Sequence, residues 1–373
     1  MKIIKYPVKK EWEGILARPL IDFESLTNVV GEILSDVKKR GDKAVREYTE
    51  KFDKVKIDDL AVTQSEITAS KGEVSDALKK ALKASLDNIS HFHKDQQIEF
   101  PASHTAPGVR CWQKSVPIEK VGLYIPGGTA PLISTVLMLG IPAKLAGCKE
   151  IVICTPPNSE GKVHPAILYT ADLLGISKIY KVGGAQAIAA MAYGTETIPK
   201  VYKIFGPGNQ YVTAAKMKVS IENTAIDMPA GPSEIAIIAD DTASPEFVAS
   251  DLLSQAEHGV DSQVILISTS EKFLGKVEKE LDLQLEMLPR KAIAVKALEN
   301  SKFILLKDDD TMVGIMNEYA PEHLIIATSN YNEIAERIVN AGSVFLGNFS
   351  PESAGDYASG TNHVLPTNGF AKA

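Results

Sequence analysis

The sequence predicts an α/β protein with two parallel-sheet cores and a helical N-terminal region, on three observations. Residues 20 to about 100 carry apolar residues at helical spacing. From "VGLYIPGG" onward, short apolar runs alternate with helical patterns, and a second series of the same kind begins at "SEIAIIAD". A strand followed by a helix, repeated, is typical of parallel βαβ units. The 373 residues, 45% of them hydrophobic, are enough for two domains with their own cores.

The helical region is predicted from "DFESLTNVVGEILSDVKKRGDKAVREYTEKF". Its apolar residues recur every three or four positions, which puts them on one face of a helix. The residues of this face are Leu26, Val29, Val30, Ile33, Leu34 and Val37.

The first alternating series follows "FPASHTAPGVRCWQKSVPIEK". Its predicted strands are "VGLYIPGG", "EIVICTPP" and "KIYKVGG", and its helices are "STVLMLGIPAKLAG", "AILYTADLLG" and "AQAIAAMAYG". Glycines and prolines between these runs mark the turns.

The second series has the same form and is longer. Its predicted strands are "SEIAIIAD", "QVILIST", "KFILLKD", "LIIATS" and "SVFLG". Its predicted helices are "PEFVASDLLSQAEHG", "FLGKVEKELDLQLEML", "TMVGIMNEYA" and "YNEIAERIVNAG". Ligands of open parallel sheets bind in crevices at the carboxyl ends of strands, so a ligand is expected there. The candidate loops are "PGGTAP", "VGGAQA", "FGPGNQY", "DMPAGPSE" and "SPESAGDYASGTNHVLP".

Charge and segment composition favour a small-molecule partner. The formal net charge of -7 argues against a nucleic-acid surface, which needs clustered Lys and Arg. The start "MKIIKYPVKKEWEG" lacks the apolar core of a signal peptide, and no apolar run approaches the roughly 20 residues that a membrane span needs. We therefore expect a cytoplasmic protein that binds neither nucleic acid nor membrane.

The three cysteines, Cys111, Cys148 and Cys154, show no CxxC spacing. Neither a disulfide framework nor a cysteine zinc ribbon is predicted, and buried, inert thiols are expected instead.

The common nucleotide fingerprints fail. The run "GPGNQY" begins GxG but has Tyr211 where a third glycine should open the helix, and "EIVICTPP" ends without the acidic residue that holds a ribose hydroxyl. A GxxxxGK[ST] loop is also absent from the sequence. A dinucleotide, if bound, is expected to bind atypically, and an ATPase or kinase is not predicted.

Two polar groups call for a chemical explanation. In "NEYAPEHLII", Glu322 and His323 stand at the entrance of an apolar strand, either as an ordinary helix-to-strand loop or as a proton-transfer site in which a carboxylate tunes an imidazole.

The second group is Gln255 and His258, which at positions i and i+3 share one helix face. They are either polar residues at the end of a helix that Gly259 ends or metal ligands. Asp356 and His363 lie in a loop of small residues that can approach a ligand closely. A set of His, Asp and Gln suits zinc or a similar divalent ion.

Several long motifs, in order, resemble those of the histidinol dehydrogenase family. They are "VGLYIPGGTAPLISTVLML", "VGGAQAIAA", "FGPGNQYVTAAK", "DMPAGPSE", "SDLLSQAEHG", "YAPEHLI" and "AGSVFLGNFSPESAGDYASGTNHVLPT". The resemblance runs from about residue 20 to 369 and implies a zinc- and NAD-dependent enzyme that oxidises L-histidinol through L-histidinal to L-histidine, the last step of histidine biosynthesis. It also implies a homodimer with shared active sites.

The implied fold is a pair of incomplete Rossmann-like domains of aldehyde-dehydrogenase-like architecture. Residues 1–20 are expected to form an N-terminal extension. Residues 21–120 and 233–369 are expected to form the zinc-binding, catalytic domain, and residues 121–232 the nucleotide side.

The resemblance also implies residue roles. His323 matches the base that removes the alcohol proton, and Glu322 the residue that activates water for attack on the aldehyde. Matching zinc ligands are Gln255, His258 and Asp356. Matching substrate contacts are Ser233, Gln255, His258, His323, Glu352, Asp356 and His363. Matching nucleotide contacts are Tyr124, Gln186 and Asn209.

The family continues into a C-terminal helical tail that supplies a histidine to the zinc and a glutamate to the substrate. The sequence has no histidine after His363, and residues 370–373 are assigned to the truncated start of that tail. A chain without the tail is expected to hold little zinc and to turn over histidinol poorly. Two alternatives stay open: a paralogue that oxidises another primary alcohol to an acid, and a catalytically silent binding form.

Overall fold

The computed structural model of the chain describes residues 1–19, 23–127, 132–229 and 231–373; the side chains of Lys2, Phe23, Glu24, Ser25 and Asp356 also lie outside the description. The strands are β1 (Lys2–Lys5), β2 (Ser103–Ala106), β3 (Val109–Cys111), β4 (Lys120–Tyr124), β5 (Glu150–Thr155), β6 (Lys178–Lys181), β7 (Lys203–Phe205), β8 (Ala225–Ile226), β9 (Glu234–Ala239), β10 (Gln263–Ser268), β11 (Lys302–Leu305), β12 (His323–Ala327) and β13 (Ser343–Leu346).

The α-helices are α1 (Trp12–Ile15), α2 (Phe23–Arg40), α3 (Asp42–Asp53), α4 (Gln64–Glu73), α5 (Asp76–Lys94), α6 (Ile133–Ala146), α7 (Pro165–Leu173), α8 (Gly184–Tyr193), α9 (Gln210–Glu222), α10 (Pro245–Ala256), α11 (Glu271–Met287), α12 (Lys291–Glu299), α13 (Asp309–Tyr319), α14 (Tyr331–Ala335) and α15 (Glu352–Asp356). Short 3-10 turns lie at Lys9–Glu11 and Phe370–Lys372. Of the helices that the structure describes, none combines the length and apolar character needed to cross a bilayer.

The chain divides into two compact units, and the first comprises Met1–Ile21, Ala230–Gly355 and Leu365–Ala373. Its strands form a parallel sheet in the order β1-β11-β10-β9-β12-β13. Alternate residues of β9 enter two different cores: Ile235 and Ile237 pack with α10 and α11, and Ala236 and Ile238 pack with α13. Because both faces are covered, the central strands are continuously apolar.

The second unit comprises Asp22–Pro229 and Asp356–Val364. Its parallel sheet has the order β6-β5-β4-β7-β8, and β2 and β3 form a separate antiparallel hairpin. Residues of β4, β5 and β6 pack in one core with α6 and α7.

This division differs from the domain boundaries that the sequence predicted. The helical region from α2 to α5, predicted to join residues 233–369, belongs to the second unit: α2 packs on α8 and α9, α4 on α7, and α5 on α6. Within α2 the predicted apolar face is buried, except for Val29, which is 49% exposed. The physical reason is the amphipathic face of α2, which covers the helices of the five-stranded sheet.

Residues 1–20 are likewise not an appendage. β1 pairs with β11 at the edge of the first sheet, in the register Ile3 with Phe303 and Ile4 with Ile304. The eight strands predicted from the two series are confirmed, whereas β1, β7, β8 and the β2-β3 hairpin were not predicted. These missed strands have two to four residues each, too short for a clear period-two pattern.

The expectation of three buried thiols is wrong for two of them. Cys111 is exposed and Cys148 is half-buried, and only Cys154, at the end of β5, is buried. Burial raises the pKa of the Cys154 thiol far above its usual range, so this thiol stays protonated.

Candidate active site

Glu322 and His323 lie where α13 gives way to β12 in the first unit. Helix α13 ends at Tyr319, and Ala320 takes a left-handed conformation with φ 53° that turns the chain toward the sheet. The two side chains are 7% and 5% exposed. Burying two ionisable groups at the start of a central strand costs free energy unless polar partners compensate.

Glu234, the first residue of β9, supplies partners to both side chains through its backbone. Its N–H donates to Glu322 Oε2 at 3.0 Å, and its carbonyl oxygen lies 3.2 Å from His323 Nδ1. Since a carbonyl can only accept, this contact requires the proton on Nδ1 and leaves the lone pair of a neutral ring on Nε2. Glu322 Oε2 is also 3.7 Å from Nδ1. One backbone residue therefore orients the carboxylate and sets the tautomer of the imidazole.

On the other side of the ring, Glu352 faces Nε2. Its Oε1 lies 3.5 Å from His323 Nε2, and its Oε2 accepts from the Ser254 hydroxyl at 3.1 Å. Asp251 accepts the Glu352 N–H at 3.2 Å. Burial raises the pKa of Asp251 to about 7, against the lowering effect of that hydrogen bond. A carboxylate beside Nε2 favours the protonated ring that forms when the imidazole acts as a base.

Gln255 and His258 share the end of α10 but differ in surroundings. The helix ends at Ala256 with Glu257 as its C-cap, so the prediction that Gly259 ends it is corrected by three residues. Gln255 is 2% exposed, and its Oε1 has no hydrogen-bond partner among the described residues. His258 is exposed in the following turn, and its N–H donates to the Gln255 carbonyl at 3.2 Å. A buried carboxamide oxygen usually has a hydrogen-bond partner or binds a ligand, so Gln255 stays a candidate ligand-binding residue.

The remaining residues predicted for metal and substrate are less informative. Asp356 closes α15, but its side chain lies outside the described part of the structure. Ser233 is half-buried, and its carbonyl accepts the Gln263 N–H at 3.2 Å. His363 is half-buried in the segment that belongs to the second unit.

Tyr124 and Gln186 of the second unit meet at the start of α8. Tyr124 ends β4, and its hydroxyl accepts the Gly184 N–H at 3.1 Å. Burial raises the pKa of this hydroxyl to about 12, so it keeps its proton. Gln186 is 1% exposed, and its Oε1 also has no partner in the part of the chain described. A Cβ built on Gly184 would stand 2.8 Å from that oxygen.

Asn209 lies on the loop after β7 and caps α9. Its Oδ1 accepts the N–H groups of Tyr211 and Val212 at 3.1 and 3.2 Å. At Gly206, φ is 130° and any side chain would collide with the Tyr124 carbonyl, so the loop can lie against β4 only with glycine there. Lys216 donates to the Gly206 carbonyl at 2.8 Å and pairs with Asp227.

Tyr124 ends β4, and Gln186 and Asn209 follow β6 and β7, so these three residues lie at the carboxyl edge of the five-stranded sheet. The chain runs outward from β4 to β6 and then returns to β7 on the other side of β4. The junction of β4 and β7 is therefore the topological switch point, where open parallel sheets bind nucleotides.

Comparison with known proteins gives one family. The family model described as histidinol dehydrogenase matches residues 16–373. The histidinol dehydrogenase of Bacteroides thetaiotaomicron is 62% identical over 373 residues, which are 100% of this chain and 87% of that protein. The Salmonella typhimurium enzyme of that name is 54% identical over 364 residues, covering 97% of this chain and 83% of the relative. The chain belongs to the histidinol dehydrogenase family.

The fold agrees with this membership. A crystal structure of histidinol dehydrogenase from Elizabethkingia anophelis matches with a TM-score of 0.97 and 55% identity, covering 100% of this chain and 86% of that one. Members of the family are NAD-dependent oxidoreductases, so this chain is one. The resemblance stated from the motifs is confirmed.

Within this family member, the structure brings some predicted residues together. Glu322, His323 and Glu352 meet in the first unit, and in the second the Tyr124 hydroxyl contacts Gly184, two positions before Gln186. Among the described residues, no three His, Cys, Asp or Glu side chains group so as to hold a metal ion. Gln255 is not of these residue types, and the side chain of Asp356 lies outside the described residues.

Reasoning from the sequence did not identify the residues that hold Glu322, His323 and Glu352 in place. Glu234, Ser254 and Asp251 were not named, although each contacts Glu322, His323 or Glu352. A signal existed for Glu234, because a charged residue that opens the fully buried strand "EIAIIA" is rare unless paired.

The candidate residues stand at different edges of the two sheets, and the location of the ligand stays a prediction. In the second unit the candidate residues lie at or after the carboxyl ends of strands, where the sequence predicts a ligand. In the first unit, Glu322 and His323 stand at the amino end of β12, beside the amino end of β9. The reason is chemical: the amino end of β9 offers the backbone N–H that a buried Glu322 carboxylate needs.

Proposed function

We propose that this chain oxidises L-histidinol through L-histidinal to L-histidine, with two NAD per turnover and a bound zinc ion, in histidine biosynthesis. The observation that carries the proposal is the arrangement of Glu322 and His323 on the backbone of Glu234, with Glu352 across the ring. It provides His323 as a base with a defined lone pair and Glu322 as a carboxylate that can activate water. An oxidation from alcohol to acid requires both groups.

In the first oxidation, His323 acts as the base. Its Nε2 lone pair takes the hydroxyl proton of the carbinol while the C–H bond breaks and the hydride departs, which leaves an aldehyde. The imidazolium that forms is stabilised by the negative charge of Glu352 at 3.5 Å. NAD, when bound, accepts the hydride.

In the second oxidation, Glu322 activates water. Its carboxylate, fixed by the Glu234 N–H, removes a proton as the water oxygen adds to the aldehyde carbon. The His323 imidazolium left by the first step gives its proton to the carbonyl oxygen, which forms the hydrated aldehyde and restores the neutral ring. His323 then removes a hydroxyl proton of the hydrate as a second hydride departs, and the carboxylic acid that forms loses its proton to give the product carboxylate. A cysteine nucleophile has no part in this scheme.

We assign the nucleotide to the carboxyl edge of the second sheet, with Tyr124, Gln186 and Asn209 as contacts. The hydroxyl of Tyr124 has its proton left to donate, since it accepts from Gly184. The buried Gln186 Oε1, which has no partner among the described residues, can accept a hydrogen bond from a ribose or amide donor of the nucleotide.

For zinc, the donor set proposed is Gln255, His258 and Asp356. The buried Gln255 Oε1, without a hydrogen-bond partner among the described residues, suits an oxygen donor to a cation, and an imidazole and a carboxylate are ordinary zinc donors. When bound, zinc supplies a positive charge that anchors the imidazole and amino group of the substrate. Ser233, Glu352 and His363 stay proposed substrate contacts, and a homodimer and a cytoplasmic location stay predictions from the sequence.

Steady-state NADH production tests the substrate. We expect histidinol to give the highest kcat/KM among histidinol, other amino alcohols and sulfonated diols, with two NADH formed per histidine. Equal rates for several alcohols would contradict histidinol as the substrate and favour the paralogue. Tight calorimetric binding of histidinol without NADH would instead favour the silent binding form.

A further inference from the structure

Arg18 and Glu234 form a buried ion pair behind the proposed catalytic pair. Arg18 Nε lies 2.5 Å from Glu234 Oε1 and Arg18 Nη2 lies 2.8 Å from Oε2, so the guanidinium binds both carboxylate oxygens. The side chains are 17% and 2% exposed. This two-point geometry fixes orientation as well as distance.

Further contacts tie the pair to two other segments of the first unit. Arg18 Nη2 donates to the Tyr319 carbonyl at 2.8 Å, and its guanidinium stacks over the Tyr319 ring at 4.2 Å. The Asn368 N–H donates to Glu234 Oε1 at 2.9 Å. Tyr319 is the last residue of α13, three positions before Glu322. The pair therefore fixes β9 and the chain entering β12 with the same side chains.

Fold stability alone is a poor reason for such a pair. A buried ion pair loses hydration, and that loss commonly cancels its attraction, so apolar residues of similar volume often serve equally well. An apolar replacement would not hold the Glu234 backbone in a fixed direction. Both backbone groups of Glu234 are used, the N–H on Glu322 and the carbonyl on His323.

We propose that Arg18 and Glu234 are positioning residues, whose ion pair fixes the backbone of Glu234 and thereby the carboxylate of Glu322 and the tautomer of His323. The proposal rests on the proposed function in one respect, that Glu322 and His323 carry out the chemistry. It makes a separate structural claim, that the proton of a neutral His323 stays on Nδ1 only while the pair is intact.

The test compares the full chain with its Arg18→Lys, Arg18→Met and Glu234→Gln variants. Lysine keeps the charge but replaces the two-point contact by one, methionine removes the charge, and glutamine keeps the shape of the carboxylate. We expect kcat for histidinol to fall roughly 10- to 100-fold in Arg18→Met and Glu234→Gln, with partial rescue in Arg18→Lys, because small misplacements of reacting groups have large effects on rate. The KM values for histidinol and NAD should change less than about threefold, because misplaced catalytic groups weaken transition-state stabilisation more than ground-state binding.

Ser301→Ala is the matched control. Ser301 is 2% exposed in the same unit, and its hydroxyl accepts the Val264 N–H at 3.0 Å and donates to the Ala297 carbonyl at 2.8 Å. We expect Ser301→Ala to lower the Tm by removing a buried hydrogen bond and to leave β9 unchanged, so kcat should stay within about twofold. Arg18→Met with a Tm equal to that of the control and an unchanged kcat would overturn the proposal.

The second readout is ¹⁵N NMR of the histidine rings in the protein without substrate, with His323→Asn used to assign the signal. We expect the wild-type ring, when neutral, to carry its proton on Nδ1, and Arg18→Lys to shift population toward the Nε2–H form. An unchanged tautomer in Arg18→Lys and Glu234→Gln would overturn the positioning role whatever the rates are. If wild type proves inactive on histidinol, the proposed function fails, while a tautomer shift would still support the structural claim.

Discussion

The two sheets of this chain have related topologies but use opposite edges. The five-stranded sheet carries Tyr124, Gln186 and Asn209 at or after the carboxyl ends of its strands, on the edge that holds its switch point. The six-stranded sheet carries Glu322 and His323 at the amino ends, between β9 and β12, which is also a switch point. A switch point is common to both sheets, and we propose that the edge differs because the two sheets bind different groups. Helix starts and glycine turns suit a nucleotide, and a strand N–H suits a buried carboxylate.

The largest effect should come from the amino edge of the first sheet. We expect His323→Asn to lower kcat by roughly 10²- to 10⁴-fold, the range of general-base contributions, because its Nε2 takes the proton in the transition state. Zinc content and substrate affinity should stay within a few fold. Steady-state kinetics, metal analysis and calorimetry check this. Loss of zinc together with activity would show that His323 is a ligand and not the base.

Gly342→Ala should disturb the same edge through the backbone. A Cβ at Gly342 would stand 2.6 Å from the Glu322 carbonyl oxygen. This oxygen accepts the Ser343 N–H at 2.9 Å, and it cannot move without shifting Glu322. We expect kcat to fall roughly tenfold, from misplacement of Glu322. Gly275→Ala is the control, since its Cβ meets nothing within 4 Å. It should leave kcat unchanged, and an equally active Gly342→Ala would remove the claim that the edge is rigid.

The carboxylates of the amino edge should make stability depend on pH. The pKa of Asp251 is raised to about 7, above its value in the unfolded chain, so the folded state favours the protonated carboxyl. The stability that this preference contributes is complete below about pH 4 and is lost as pH rises through 7. Asp251→Asn does not titrate. Relative to this variant, wild type should lose about 2 kcal/mol of unfolding free energy between pH 5.5 and 8. Denaturant unfolding at both pH values measures this, and a constant difference would refute the raised pKa.

The smallest effect should come from the carboxyl edge of the second sheet. Gln186→Leu removes a buried acceptor that has no described partner, so the protein without NAD should be as stable as wild type or slightly more so. The KM for NAD should rise roughly three- to tenfold with kcat nearly unchanged, as expected when one hydrogen bond to the nucleotide is lost. Thermal unfolding and NAD titration check both. Lower stability with unchanged NAD affinity would make Gln186 a core residue only.

Much of the fold and part of the candidate site could be predicted from the sequence. The strand and helix alternation gave both sheets, and the adjacent polar pair at Glu322 and His323 stood out at the entrance of an apolar strand. The assignment of the helices α2 to α5 to the second sheet could not be predicted, because an amphipathic helix shows that it packs but not on what. Arg18 and Glu234 are 216 positions apart, and no local pattern connects them.

The role of the amino edge as the chemical centre is tested most directly by one variant, Glu322→Gln, followed through a single turnover with histidinol and NAD. The account predicts that oxidation of the aldehyde slows at least as much as oxidation of the alcohol, because the glutamine cannot take a proton from water. The first NADH then forms, histidinal accumulates, and the second NADH is delayed. Slowing of the first NADH alone, with added histidinal oxidised at the wild-type rate, would contradict the account.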